Sequence, residues 1–117
     1  MKRSFLLLTI TVLSLSLLSS CSEYRFYSDL EVSVQGFLTG NPRDGVLVQL
    51  FYTREDAQDL IYPASPVLTT NEFGEVYILD LEPGVQYFVR VDGLLQTVVR
   101  RSGRLRAGAN KCTVRLL

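Results

Sequence analysis

The sequence predicts an all-β domain, a two-sheet sandwich of seven short strands that follows an N-terminal signal segment. Apolar side chains recur at every second position, which is the period of a strand with one buried face. Glycine, proline and asparagine interrupt this alternation at short intervals, as turns between strands require. A chain of 117 residues with 47% hydrophobic and 21% charged residues is long enough for one such domain.

The alternation places each strand. The seven predicted strands are residues 30–35, 46–52, 66–70, 76–81, 85–92, 94–99 and 111–117. Between the last two, residues 101–110 contain two glycines and several basic side chains, which indicates a flexible basic loop. Residues 55–59 are predicted to form one helical turn at most.

Three turns support these boundaries. Gly74 closes the turn at 71–74 and is free to adopt a positive φ. In the next turn, Pro83 fixes φ and Gly84 accepts a positive φ, which suits a tight connection. An Asp-Gly pair at 92–93 between two apolar alternations predicts a hairpin.

The composition excludes several classes of function. The chain has no histidine, so a histidine-based triad, a histidine-ligated metal and an imidazole proton shuttle are all impossible. Its two cysteines cannot build a four-cysteine zinc site. With 12 basic and 12 acidic side chains, no overall basicity indicates nucleic acid binding. We therefore expect no catalytic residue, no metal site, no cofactor and no nucleic acid partner.

The first twenty residues have the pattern of a secretory signal. Lys2 and Arg3 precede an apolar run at residues 5–18, and small residues follow it. Fourteen helical residues reach only about 21 Å, which is short of a hydrocarbon core of roughly 30 Å. A cleaved signal is therefore favoured over a permanent spanning helix.

The end of this signal, Leu18-Ser19-Ser20-Cys21, resembles the bacterial lipobox, in which the cysteine is lipidated and becomes the first mature residue. The resemblance implies a permanent membrane anchor at Cys21, because several acyl chains hold where one is marginal. The next residue is Ser22, and the absence of aspartate there favours the outer membrane, facing either the periplasm or the surface. The predicted organisation is a signal peptide at 1–20, the lipidated cysteine and a short tether at 21–29, and the sandwich at 30–117.

Three segments of the chain resemble the carboxypeptidase regulatory-like family, a transthyretin-like (prealbumin-like) sandwich related to the collagen-adhesin B-type repeats. They are the strand and glycine at 34–38, the strand at 44–50, and the stretch from 69–74 into 81–87. The resemblance covers about residues 32–92 and implies a seven-stranded Greek-key sandwich. It also implies a protein without catalytic activity, because such domains accompany enzymes and do not carry their chemistry.

The segment 81–87 also resembles the tyrosine corner of fibronectin type III domains. In that motif Tyr87 bonds its hydroxyl to backbone near the turn at Pro83 and Gly84, which makes all three residues structural. Fibronectin domains usually carry a core tryptophan, and this chain has none. The transthyretin-like resemblance is therefore favoured.

Two candidate binding surfaces follow from charge and register. Arg100, Arg101, Arg104 and Arg106 lie in a stretch where Asp92 is the last acidic residue. They either pair with acidic side chains of neighbouring strands or form a basic rim that meets an anionic headgroup, glycan or partner.

Cys112 alternates with apolar neighbours and is predicted to be a small buried residue.

The second candidate surface is aromatic. The predicted register points Phe51 and Phe88 outward, together with Phe37 and Leu47. An outward apolar set marks a partner or ligand surface, unless the register of one strand is wrong or a loop covers the set. The sequence thus predicts a lipid-anchored, non-enzymatic module that binds another envelope protein. The alternative is a surface lipoprotein that binds glycan through these aromatic rings.

Overall fold

The computed structural model describes residues 27–117. The predicted signal peptide, the predicted lipidation site Cys21 and most of the predicted tether lie outside the described residues. The elements are β1 (Ser28–Gly36), β2 (Leu47–Phe51), α1 (Arg54–Asp59), β3 (Leu68–Thr69), β4 (Glu75–Leu81), β5 (Gln86–Asp92), β6 (Thr97–Arg104) and β7 (Gly108–Leu116). Each of the seven predicted strands has a counterpart, and the all-β prediction is confirmed.

The strands form two packed sheets. One has the order β4-β1-β7, with β1 in the centre, and the other has the order β3-β2-β5-β6. The first and last strands, β1 and β7, run parallel, whereas every other neighbouring pair is antiparallel. β6 and β7 are therefore edge strands of different sheets that follow each other along the chain.

The core lies between the sheets and is made of the alternating apolar residues. Its buried side chains include Leu30, Val32 and Val34 of β1, facing Val48, Leu50, Val89 and Val91 of the larger sheet. Cys112 is buried beside Val114 and Leu116, as predicted, and burial raises the pKa of its thiol. Burying an apolar side chain the size of valine or leucine contributes about 1.5–3 kcal/mol. A register shift of one residue would turn these side chains to solvent, so the period-two pattern fixes the register of each strand.

The strand registers define two ends of the sandwich. At the entry end, where the described chain begins, Ser28 pairs with Leu81 and with Gly108. Its hydroxyl donates a hydrogen bond of 2.7 Å to the carbonyl of Arg106. Ser28 is fully buried, so β1 begins two residues before the predicted boundary at residue 30. The opposite end, which we call the far end, holds the β1–β2 loop, the β3–β4 turn and the β5–β6 hairpin.

The predicted flexible loop at 101–110 is wrong. β6 continues through Arg104 and β7 starts at Gly108, which leaves a turn of residues 105–107. This stretch is ordered because β6 pairs with β5 and β7 pairs with β1. Its arginines interrupt the apolar alternation, so the sequence alone did not indicate a strand here. A register shift between Gln86 and Phe88 inserts an extra residue in β6 opposite Tyr87. This bulge allows Leu105 to reach the core, where its side chain is buried.

The glycine at the far-end turn is required by a close backbone approach. Gly74 has a φ of 72°, and a Cβ at this position would lie 2.5 Å from the carbonyl oxygen of Val34. The amide of Val34 in turn donates to the carbonyl of Gly74 at 2.8 Å. The turn at Pro83 and Gly84 is also present, with Gly84 at a φ of 82°. Both predicted turns therefore connect strands as expected.

Tyr87 follows shortly after the turn at Pro83 and Gly84. It is buried on β5, and its ring lies 5.5 Å from that of Tyr52, centroid to centroid. Burial raises the pKa of the Tyr87 phenol, and a backbone hydrogen bond with Glu82, in the turn before β5, opposes the shift. The tyrosine corner stays a prediction, which removal of the Tyr87 hydroxyl tests.

Candidate functional site

The four candidate arginines do not form one cluster. Arg100 pairs with the core residue Val89, whereas Arg101 pairs with Phe88 on the outer face of the sheet. Beyond the bulge, Arg104 pairs with Gln86, and Arg106 lies in the turn at the entry end. The predicted basic rim is therefore divided between two faces of an edge strand and one end of the sandwich.

Ion pairing does not account for these arginines. In the described part of the chain, Arg90 pairs with Asp92 at 3.0 Å and Lys111 pairs with Glu31 at 3.8 Å. No carboxylate between residues 27 and 117 lies within 4.0 Å of the four candidate arginines. Charges on edge strands protect against pairing with another sheet, and this is one role that the arginines can fill.

The outward aromatic surface is not present as predicted. Phe51 is 0% exposed, so the prediction that it faces a ligand is wrong. The cause is α1, which packs on the outer face of the larger sheet and buries Ala57. Phe88 is half-buried, with the guanidinium carbon of Arg54 5.3 Å from its ring centroid. Neither ring offers a free face to a ligand.

Local hydrogen bonds hold α1 in this position. Thr53 caps its first turn, accepting a hydrogen bond of 3.1 Å from the Asp56 amide on its side-chain oxygen. Arg90 reaches up from β5 and donates through Nη1 to the carbonyls of Ala57 at 2.6 Å and Gln58 at 3.1 Å. The sequence predicted one helical turn here but gave no sign that it would cover Phe51.

The exposed apolar residues gather instead at the far end. Leu94 is 100% exposed and Leu95 is 96% exposed, both in the β5–β6 hairpin, and Leu117 beside them is 82% exposed. With Leu47 at the start of β2, these three residues line a cleft of about 550 Å³. We call these four leucines the leucine cap. Phe37, Leu38 and Phe73 are exposed in neighbouring loops at the same end.

The leucine cap is held in place by hydrogen bonds. The amide of Gly93 donates to the carbonyl of Gln96 at 2.8 Å, which closes the hairpin. The side-chain oxygen of Gln96 accepts from the amide of Leu117 at 2.8 Å. The backbone that carries the cap is therefore ordered before a partner binds.

Polar groups rim the cleft beside the leucines. Arg43, Asp44 and Asp92 are among its lining residues. Burial alone would raise the pKa of the Asp92 carboxyl, but hydrogen bonds from Arg90 and Thr97 hold it below its usual value. The lining of the cleft therefore combines leucines with charged groups of both signs, as protein interfaces do.

The sequence did not reveal this surface, because its alternation placed Leu94 and Leu95 in the predicted strand at 94–99. The signal was two successive leucines directly after Asp92-Gly93, where a hairpin turn leaves both exposed.

Between residues 27 and 117 no group of His, Cys, Asp and Glu side chains is arranged to hold a metal ion. The described part of the chain contains no helix that is long and apolar enough to span a membrane.

Comparison with known proteins supports the fold. The chain is similar to part of the Bacillus anthracis TIE protein, with a TM-score of 0.57 and 14% identity, covering 77% of this chain and 16% of that one. An intradiol ring-cleavage dioxygenase from Tetranychus urticae has a TM-score of 0.46 at 17% identity, covering 65% of this chain and 50% of that one. No protein-family model and no curated protein matches the chain. The chain thus spans a small fraction of the TIE protein.

Proposed function

We propose that this chain is a non-catalytic β-sandwich lipoprotein of a bacterial outer membrane, anchored through Cys21, that acts as an interaction module in a cell-envelope assembly. Its partner is another envelope protein, which binds the leucine cap. The fold in this proposal is the Greek-key, transthyretin-like sandwich, and the sheet orders β4-β1-β7 and β3-β2-β5-β6 support it. The observation that carries the proposal is the exposure of Leu94 and Leu95 on a hairpin that hydrogen bonds hold rigid.

The position of the cap suits a membrane-anchored module. The chain enters the sandwich at Ser28, and the leucine cap lies at the opposite end. The nine residues of β1 span about 30 Å between those ends. A lipid at Cys21 would hold the entry end near the membrane, so the cap would face away from it, toward other proteins.

The occupant of the cap is a segment of another protein. Each leucine buried in a complex contributes about 2 kcal/mol. We infer that the partner presents an apolar segment to the cleft and polar groups to Arg43 and Asp44 at its rim.

The glycan alternative has less support from the arrangement of side chains. It relied on aromatic rings that stack on sugar faces, and Phe51 is buried while Phe88 lies under Arg54. The cap consists of leucines, and the lining of its cleft has no aromatic ring to stack on a sugar face. An apolar protein segment is therefore the ligand that this surface fits better.

The test is a crosslinking pull-down from native membranes with matched leucine variants. Leu94→Ser combined with Leu95→Ser should reduce recovery of the partner by at least about 100-fold, from the lost burial of two leucines. Leu79→Ser is the control, because Leu79 is exposed on β4 away from the cap. All variants should keep their melting temperature and membrane fractionation. Equal recovery with the double variant and the wild type would show that the cap does not bind the partner.

A further inference from the structure

A second recess lies where the edges of the two sheets adjoin. It has a volume of about 640 Å³ and is lined by Gln35, Phe37, Arg100, Thr113 and Arg115. Arg100 comes from the edge strand of the larger sheet and Arg115 from the edge strand of the smaller one. Two guanidinium groups from different sheets therefore share one recess.

The strand registers explain this convergence. Arg100 pairs with the core residue Val89, so it leaves β6 on the inner side, past the edge of the core. Burial raises the pKa of the Cys112 thiol on β7, and the positive charge of Arg100 opposes that rise. Arg115 pairs with Gln35 along the parallel β1–β7 ladder, on the side away from the core. The two side chains thus approach the recess from opposite strands.

The recess is positively charged and is not neutralised from within the described chain. Its lining contains no carboxylate, and in residues 27–117 neither arginine has one within 4.0 Å. The nearest acidic residue on β1 toward the entry end, Glu31, pairs with Lys111 at 3.8 Å. Two like charges that face one recess repel each other. An anion between them would lower this electrostatic repulsion and would also form new contacts with both arginines. Protection of an edge strand needs charge only, and it does not need two arginines in one recess.

The donors fit a phosphate group better than a carboxylate. A guanidinium binds two oxygens of an oxyanion in its plane, and two guanidiniums can engage all the oxygens of a phosphate. A phosphate monoester carries nearly two negative charges at neutral pH, which match Arg100 and Arg115, whereas a carboxylate carries one. Thr113 and Gln35 add a hydroxyl and an amide to the lining, and Phe37 adds an exposed ring.

We propose that this recess binds a phosphate monoester, with Arg100 and Arg115 holding the phosphate and Phe37 packing against the apolar part of the ligand. The site is separate from the leucine cap and does not depend on the proposed partner. The ligand is a water-soluble ester, because Phe37 and Arg115 lie toward the far end of the sandwich, whereas the proposed anchor would hold the entry end at the membrane.

The test is a titration of the purified full-length protein in detergent, followed by the amide chemical shifts of Thr113 and Gln35. Inorganic phosphate and glycerol 3-phosphate are added at constant ionic strength, with acetate as the comparison anion. Phosphate should shift both amides saturably and acetate should do so only weakly. Arg100→Gln and Arg115→Gln should each weaken phosphate binding by about ten-fold, the usual loss for a hydrogen bond to a charged group.

The control is Arg101→Gln, which removes the neighbouring charge on the opposite face of β6. It should leave phosphate binding unchanged. Equal weakening in all three variants would mean diffuse attraction to a basic edge, and the absence of saturation would mean that the arginines only protect the edge strands. Either result would overturn the proposal. Micelles doped with phosphatidic acid should add nothing to the shifts that glycerol 3-phosphate produces, and shifts that appear only with this lipid would overturn the assignment to a soluble ester.

Discussion

Arg90 and Asp92 lie two residues apart on β5 and form an ion pair of 3.0 Å on the outer face of the larger sheet. The same guanidinium donates to the carbonyls at the end of α1. Thr97 donates to the carboxylate of Asp92 at 2.7 Å from the neighbouring strand β6. One carboxylate therefore links the helix that covers Phe51 with the hairpin that carries the leucine cap.

The first prediction concerns pH. The pKa of Asp92 in the folded protein is lowered, so its contribution to stability is fully present above the unfolded pKa of about 3.9 and is lost as the pH falls through the folded value. Asp92→Asn should lower the free energy of unfolding near neutral pH by about 1 kcal/mol. It should also flatten the decline of stability below about pH 4. Urea denaturation at a series of pH values measures both effects, and parallel pH profiles for the two proteins would contradict them.

The second prediction concerns Gly74. Its φ of 72° and the 2.5 Å approach of a new Cβ to the Val34 carbonyl oxygen should make Gly74→Ala cost about 2–3 kcal/mol. Gly40→Ala is the matched control, because Gly40 has a φ of 70° but no atom within 4 Å of a new Cβ. It should cost only about 1 kcal/mol, from the backbone conformation alone. Equal urea midpoints for the two variants would show that the turn relaxes around the added methyl group.

The third prediction concerns Tyr87. Tyr87→Phe should lower the free energy of unfolding by about 1–2 kcal/mol, because a backbone group near Glu82 loses its partner. Binding at the leucine cap should not change, since Tyr87 lies toward the other end of β5. Tyr62→Phe serves as the control, because Tyr62 is exposed. Identical thermal unfolding of both variants would exclude a tyrosine corner while leaving the sandwich intact.

The fourth prediction concerns the anchor. Cys21→Ala should abolish labelling with palmitate and move the protein from the membrane to the soluble fraction, or leave it unprocessed. Cys112→Ala removes the other cysteine, which is buried in β7, and should leave labelling unchanged. Retained labelling in the first variant would show that Cys21 is not lipidated.

The strands could be predicted from sequence because each has one face in the core. Val32 and Val48 are fully buried, and the residues beside them in sequence are more exposed, so their alternation records the packing directly. β6 was predicted only as far as residue 99, because an edge strand exposes Arg101 and Arg104 where an inner strand would bury an apolar residue. Its bulge also breaks the period of two.

The candidate surfaces were harder to predict because they depend on contacts between distant residues. Phe51 alternates like an outward residue, and only α1 and the bridge to Pro63 hide it. The leucine cap joins Leu47, the hairpin and Leu117, which the sequence separates by tens of residues. Similarly, no local pattern shows that Arg100 and Arg115 face one recess, since they belong to different sheets.

The central position of β1 has a mechanical consequence. The described chain enters the sandwich through β1, which is hydrogen-bonded on one side to β4 and on the other to β7. A tensile load applied at Tyr27 acts along this strand, so it must shear both ladders at once and cannot peel them apart one bond at a time. We therefore expect the domain to withstand pulling from its entry end better than a sandwich whose first strand lies at an edge. Such resistance suits a module that is loaded between a membrane and a large assembly.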